Sequence, residues 1–206
     1  WKWHNISMNE HTGTHFDAPI HWVSGRDVAN GAVDEIDPAV FVGPVAVIDC
    51  SEGAAGNDDF ELTPEIIDAW EAEHGSIPAD SWVLMRTDWS KRRGADYLNM
   101  ADDGPHSPGP TPAAIEKLLK RNIRGFGTET VGTDAGQGAH YVPPYPAHYL
   151  LHGAGKYGLQ CLSNLDRLPP TGAMLIAPPL KIKGGTGSPL RVLALVPAGS
   201  GSGENA

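Results

Sequence analysis

Short apolar runs rich in β-branched residues recur at 45–48, 82–85, 123–127, 174–177 and 190–196, and each reads as a buried strand. Helix-start signals lie between them. Thr63-Pro64 sets a capping hydroxyl before a proline at the first helical position, and IIDAWEAEHG then runs to a glycine stop. Thr111-Pro112 repeats the signal before AAIEKLLKRN, and Pro146 opens a third helix, AHYLLHGAG. Strands alternating with helices predict an α/β layered single domain, although their uneven spacing does not require a regular doubly wound parallel sheet. The Gly/Pro-rich stretches 101–112 and 132–146 read as ordered loops over a site.

The domain is expected over 1–197, with 198–206 as a flexible tail or expression remnant. The chain opens at Trp1 without a methionine, so preceding residues are expected. Bulk composition narrows the partners. At 40% hydrophobic and 19% charged residues the chain is an ordinary globular protein, and a net charge of -10 counts against nucleic acid or an anionic membrane surface. No apolar run approaches the ~18 residues of a membrane span. Cys50 and Cys161 form no CxxC pair, so they read as packed thiols in a reducing cytoplasm.

The chemistry concentrates in HTGTHFDAPIH. His11, His15, Asp17 and His21 all fall at odd positions, with Gly13 and Pro19. An extended chain over 14–21 would put His15, Asp17 and His21 on one face and Thr14, Phe16, Ala18 and Ile20 on the other. One face is polar and able to bind metal; the other suits a core. Imidazoles and a carboxylate suit a first-row divalent ion such as Zn²⁺ or Mn²⁺. Such an ion lowers the pKa of its water towards ~7, and the fourth group, with His21 the natural candidate, remains for proton transfer.

This segment resembles the signature of the cyclase family, which includes bacterial kynurenine formamidases and isatin hydrolases. The closing stretch LDRLPPTGAMLIAPPLKIKGGTGSPLRVLAL is similar to that family's end, and the likeness covers about Ser7 to Val196. The resemblance implies a swivelling β/β/α fold, a homodimer or larger assembly, and Zn²⁺- or Mn²⁺-dependent hydrolysis of amides, cyclic imide-like rings or lactones. It assigns His11, His15 and Asp17 as metal ligands and His21 as catalytic base. His148 matches a histidine that helps hold two ions in the formamidases, but the glutamate that follows in their pattern is Gln160 here. A neutral amide compensates a second dication poorly. One ion is therefore expected, Mn²⁺ with Zn²⁺ as the alternative, with Gln160 oxygen as a further ligand and His148 turned to the substrate or oxyanion. Ser163 is assigned to a proton path. This pattern is that of the isatin hydrolase branch, and ring opening of isatin to isatinate is the activity expected. N-formylkynurenine or lactone hydrolysis is the alternative within the enzyme class, and a non-catalytic metal- or aromatic-ligand-binding protein is the alternative outside it.

Of six tryptophans, Trp22, Trp89 and Trp3 are the expected aromatic contacts to a bicyclic substrate, with Trp1 near them, while Trp70 and Trp82 read as core. KIKGGTGS, 181–188, lacks the lysine-serine ending of a phosphate loop and reads as a turn joining two strands. His4, His74, His106, His140 and His152 are expected on the surface or in loops. Asp88 reads equally well as a pocket residue or a cap.

Overall fold

The computed structural model describes residues 1–198, so most of the expected tail, 199–206, lies outside the described residues. Eight strands form one sheet: β1 (His15–Asp17), β2 (Val42–Asp49), β3 (Trp82–Arg86), β4 (Gly125–Thr128), β5 (Tyr157–Gln160), β6 (Met174–Ile176), β7 (Gly187–Pro189) and β8 (Leu193–Leu195). Their order is β7-β1-β5-β4-β3-β2-β6-β8. The middle strands β5, β4, β3 and β2 run parallel. On either side the pairing turns antiparallel, through β1 and β7 at one edge and β6 and β8 at the other.

This order forces curvature. β7 and β8 occupy opposite edges, yet only residues 190–192 separate them. So short a link reaches no more than roughly 15 Å, so the sheet must curl until its edges approach. The strand expected over 190–196 therefore narrows to 193–195, because 190–192 cross from one edge to the other, and β7 lies ahead of the expected run. An apolar run cannot reveal that its first residues serve as a link.

Three helices follow the expected signals: α1 (Pro64–His74), α2 (Pro112–Lys120) and α3 (Pro146–Gly153). Thr111 Oγ1 accepts from Ala114 N at 3.2 Å and caps α2. At Thr63 the expected side-chain cap does not form. Gly75, with φ of 87°, ends α1.

The parallel strands are apolar on both faces, as strands covered on both sides must be. Ala46, Ile48, Val83, Met85 and Phe126 pack outward against Ile67 and Trp70 of α1, Ile115 and Leu118 of α2, and Leu151 of α3. Val45, Val47, Trp82 and Leu84 point inside the curl to Phe16, Phe41, Leu159 and Leu175. Trp70 and Trp82 are thus core, as expected. The result is the β/β/α arrangement expected of the resemblance, with β1 seated in the sheet by Phe16.

Leu84 is fully buried, so Leu84→Ala is expected to cost about 2–5 kcal/mol, while Leu193→Ala, at a side chain 53% exposed, costs below about 1 kcal/mol. Urea unfolding midpoints of the two variants check this, and equal losses would contradict the assignment of the inner core.

Candidate metal centre

β1 is only three residues long, but it is clamped on both sides. His15 lies opposite Gln160 of β5 and Pro189 of β7, and Asp17 lies opposite Gly158 and Gly187. Those two glycines are requirements of space. A Cβ on Gly158 would fall 2.8 Å from Asp17 Oδ2, and one on Gly187 would fall 2.5 Å from His11 Cε1. The extended geometry ends at Ala18. Pro19 then opens a 3-10 turn, Pro19–His21, and it is this turn, rather than continued alternation, that brings His21 beside the others.

Asp17 is fully buried. Its Oδ1 lies 2.8 Å from His11 Nδ1 and 3.3 Å from His15 Nε2. The far nitrogens of both rings have fixed partners. His15 Nδ1 donates to the Gly13 carbonyl at 2.7 Å. His11 Nε2 donates to Thr186 Oγ1 at 2.9 Å, and Thr186 passes its own proton to Glu10 at 2.7 Å. With those protons placed outward, each ring turns a lone pair on the Asp17 oxygen. Two lone pairs and a carboxylate oxygen so close together call for a positive charge among them. This donor set fits a divalent metal, and the outward N–H bonds are those that orient histidine ligands. Without an ion that charge has to come from protons on the rings: burial would raise the Asp17 pKa, but hydrogen bonds from His11 and His15, each then donating inward, hold it well below the usual carboxylate range. Burial works to lower the His15 pKa, but Asp17 outweighs it and raises the value.

A second triangle shares Asp17. Its carboxylate, His21 and His148 bring a ligand atom each within 4.8 Å of one another. The His21 ring stacks on His11 at 3.8 Å between centroids and stands 5.7 Å from His148. Burial lowers the His21 pKa to about 4, with Asp17 opposing and His11 and His148 adding to the shift. The ring is neutral near pH 7 and able to take a proton. Trp22 lies against His148 at 4.8 Å and meets Tyr145 at 5.7 Å, forming an aromatic wall beside the cluster.

Gln160 enters the cluster with its nitrogen foremost. Its Nε2 donates to Asp17 Oδ2, and its Oε1 accepts from Gly132 N at 2.8 Å. Ligation through the oxygen would require the amide to turn over and release Gly132. Other expected residues lie elsewhere. Trp89 is 1% exposed, its Nε1 donating to the Tyr97 carbonyl at 2.9 Å and Arg92 covering its ring at 3.6 Å, so it cannot face a substrate. Trp1 and Trp3 are fully exposed and 76% exposed. Ser163 is exposed, and its hydroxyl accepts from Asn164 at 3.4 Å, not from the cluster. Asp88 gives no side-chain cap; it pairs with Arg86 and Lys91. Both cysteines are free thiols, Cys50 buried and Cys161 half-buried. Residues 181–186 lie in the link from β6 to β7 and include Thr186, while Gly187 and Ser188, expected in the turn, already belong to β7.

His152 is a clear correction. It is fully buried on α3, one turn beyond His148 and 5.7 Å from it, and 6.0 Å from His21. Its Nδ1 donates to the Lys156 carbonyl at 3.1 Å, leaving a buried Nε2 without a partner. The i, i+4 spacing of His148 and His152 was the available signal. Nothing local in the sequence marks Gly158, Gly187 or Asp134, whose roles depend on register across distant strands and loops.

A curled sheet with outer helices and a His/His/Asp cluster on and just before a short inner strand defines a metal-dependent hydrolase of the cyclase type. Residues 1–135 match the Cyclase family model, and the chain belongs to that family. Isatin hydrolase of Roseibium aggregatum is 56% identical over 199 residues, covering 96% of this chain and 75% of that protein. The solved structure of isatin hydrolase A from Labrenzia aggregata bound to benzyl benzoate has a TM-score of 0.94 at 83% identity, covering 95% of this chain and 77% of that one. Kynurenine formamidase of Polaromonas naphthalenivorans is 30% identical over 191 residues, covering 91% of this chain and 72% of that protein.

Two outcomes follow from the geometry. Gly187→Ala forces the His11 ring aside, so divalent-ion affinity by competition with a chelator is expected to fall roughly 10–100-fold; unchanged affinity would remove His11 from the ligand set. Burial lowers the His152 pKa to about 4, below its ordinary 6.5. The unfolded chain therefore binds this proton more readily, and stability drops as pH falls from about 6.5 to 4 by on the order of 3 kcal/mol, then levels off. Urea unfolding across that range should show a shallower decline in His152→Asn, and parallel declines would contradict the assignment.

Proposed function

We propose that this chain opens a cyclic amide, isatin to isatinate, using one divalent ion held by His11, His15 and Asp17. The observation that carries the reading is the convergence of two imidazole lone pairs on one buried carboxylate oxygen, with a neutral histidine stacked alongside. The similarity to isatin hydrolases supplies the substrate class. Mn²⁺ is the ion of choice and Zn²⁺ the alternative, since imidazole and carboxylate donors accept either. Gln160 in place of a carboxylate supports a single ion, and its oxygen becomes a ligand only if the amide turns over on loading.

When bound, the ion supplies Lewis acidity and a water acidified towards ~7. The protein's own groups do the rest. His21, neutral and half-buried, takes the proton of the attacking water and returns it to the nitrogen as the C–N bond breaks. His148 presents Nε2 on the far side of Asp17, where it can meet the developing oxyanion. Trp22 offers an indole face to a flat bicyclic substrate. The same reading makes the protein a cytoplasmic homodimer: two free thiols suit a reducing compartment, and exposed Val42, Met174, Leu193 and Leu195 form an apolar margin at the β2–β6–β8 edge.

His21→Ala is expected to lower kcat for isatin roughly 10²–10⁴-fold while leaving bound metal unchanged. Retained turnover would reject His21 as the base. Comparing kcat/KM for isatin and N-formylkynurenine on the same preparation tests the substrate, and a preference for the formamide would overturn the cyclic-amide reading.

A further inference from the structure

We infer that Asp134 is a positioning residue for this centre, fixing His148 as the Nδ1–H tautomer with its Nε2 lone pair turned inward. The inference deepens the proposed function, resting on it only for the kinetic part of the test. Asp134 is 4% exposed, and its Oδ2 lies 2.5 Å from His148 Nδ1. An ionised carboxylate only accepts, so Nδ1 must carry the proton. The opposite edge of the ring gives the same answer. Gln160 Nε2 lies 3.3 Å from His148 Nε2. That amide cannot be reversed without setting its oxygen against the Asp17 carboxylate and its NH₂ against the Gly132 N–H. A donor faces Nε2 and an acceptor faces Nδ1. Nε2, 3.9 Å from Asp17 Oδ2, therefore offers a lone pair to the site.

Asp134 also fixes where the ring stands. Its Oδ1 accepts from Ala147 N at 2.6 Å and its Oδ2 from His148 N at 3.2 Å, in the first turn of α3. The residue at the cap position, Tyr145, gives no side-chain cap and sits in the left-handed region at φ of 54°. A carboxylate from a separate loop replaces it, satisfying orphan amides at the positive end of the helix. Helix start and ring tautomer thus depend on one side chain. The loop after β4 that carries Asp134 also carries Gly132, whose N–H orients Gln160. One segment sets both neighbours of Asp17 on this side.

The test is the tautomer itself, read by two-bond ¹H–¹⁵N NMR on ¹⁵N-histidine-labelled protein at about pH 8, metal-free and loaded with diamagnetic Zn²⁺. Wild-type His148 is expected to be protonated at Nδ1 in both forms. In Asp134→Asn the oxygen can still cap Ala147, but the NH₂ faces Nδ1 and the proton moves to Nε2. With isatin as probe, kcat should fall roughly 10–100-fold with KM changed less than about threefold, and Asp134→Glu should restore the Nδ1–H tautomer and part of kcat. A purely structural role would lower the unfolding midpoint and leave the tautomer unchanged. Nε2 protonation in the wild type overturns the inference without any variant, as does Asp134→Asn that keeps Nδ1–H. Failure of isatin turnover with the expected tautomers would count against the proposed substrate and leave the role of Asp134 standing.

Discussion

A single carboxylate, fully removed from water at Asp17, is the constraint around which this end of the molecule is arranged. An uncompensated buried charge costs several kcal/mol, so its neighbours must supply donors or positive charge. Two imidazoles meet one oxygen, and an amide and a third imidazole approach the other. The flanking strands give way at the same point, with glycine opposite Asp17 on both sides. The curled sheet holds the charge in place, because β1 sits between two antiparallel partners while Phe16 anchors it from below in the inner core.

The groups around that charge divide by where their protons go. His11, His15 and His148 each give one ring proton to a partner outside the cluster: a threonine hydroxyl, a backbone carbonyl and the Asp134 carboxylate. Each thereby keeps a lone pair for the interior. His21 differs, since no described residue hydrogen-bonds its ring, and burial holds it neutral. That difference separates groups suited to hold a cation from one suited to move a proton.

Much of this was legible in the chain. The apolar runs located β2, β3, β4 and β6, and the Thr-Pro and Pro signals located α1, α2 and α3, because those features are local, while the short helices Ser51–Gly56 and Ala95–Leu98 carried no such signal. The odd-numbered spacing of His11, His15, Asp17 and His21 found the cluster, although His21 arrives by a 3-10 turn at Pro19 and not by alternation. Register and burial were not legible. Trp89 looked available from its loop but lies beneath Arg92, and His152 looked peripheral but is buried beside His148. Asp134 carried no signal, since its partners His148 and Ala147 lie on a helix beyond an intervening loop. The strand expected over 190–196 shrinks to 193–195 because 190–192 carry the chain between the two sheet edges, a consequence of closure that involves the whole chain.

The most direct test of the account is isatin ring opening followed by absorbance, on protein stripped by a chelator and again after Mn²⁺ is restored. Turnover is expected to be negligible without the ion and to recover on its return. Turnover that survives demonstrated removal of the ion, or its absence from protein shown to hold one ion per chain, would contradict it.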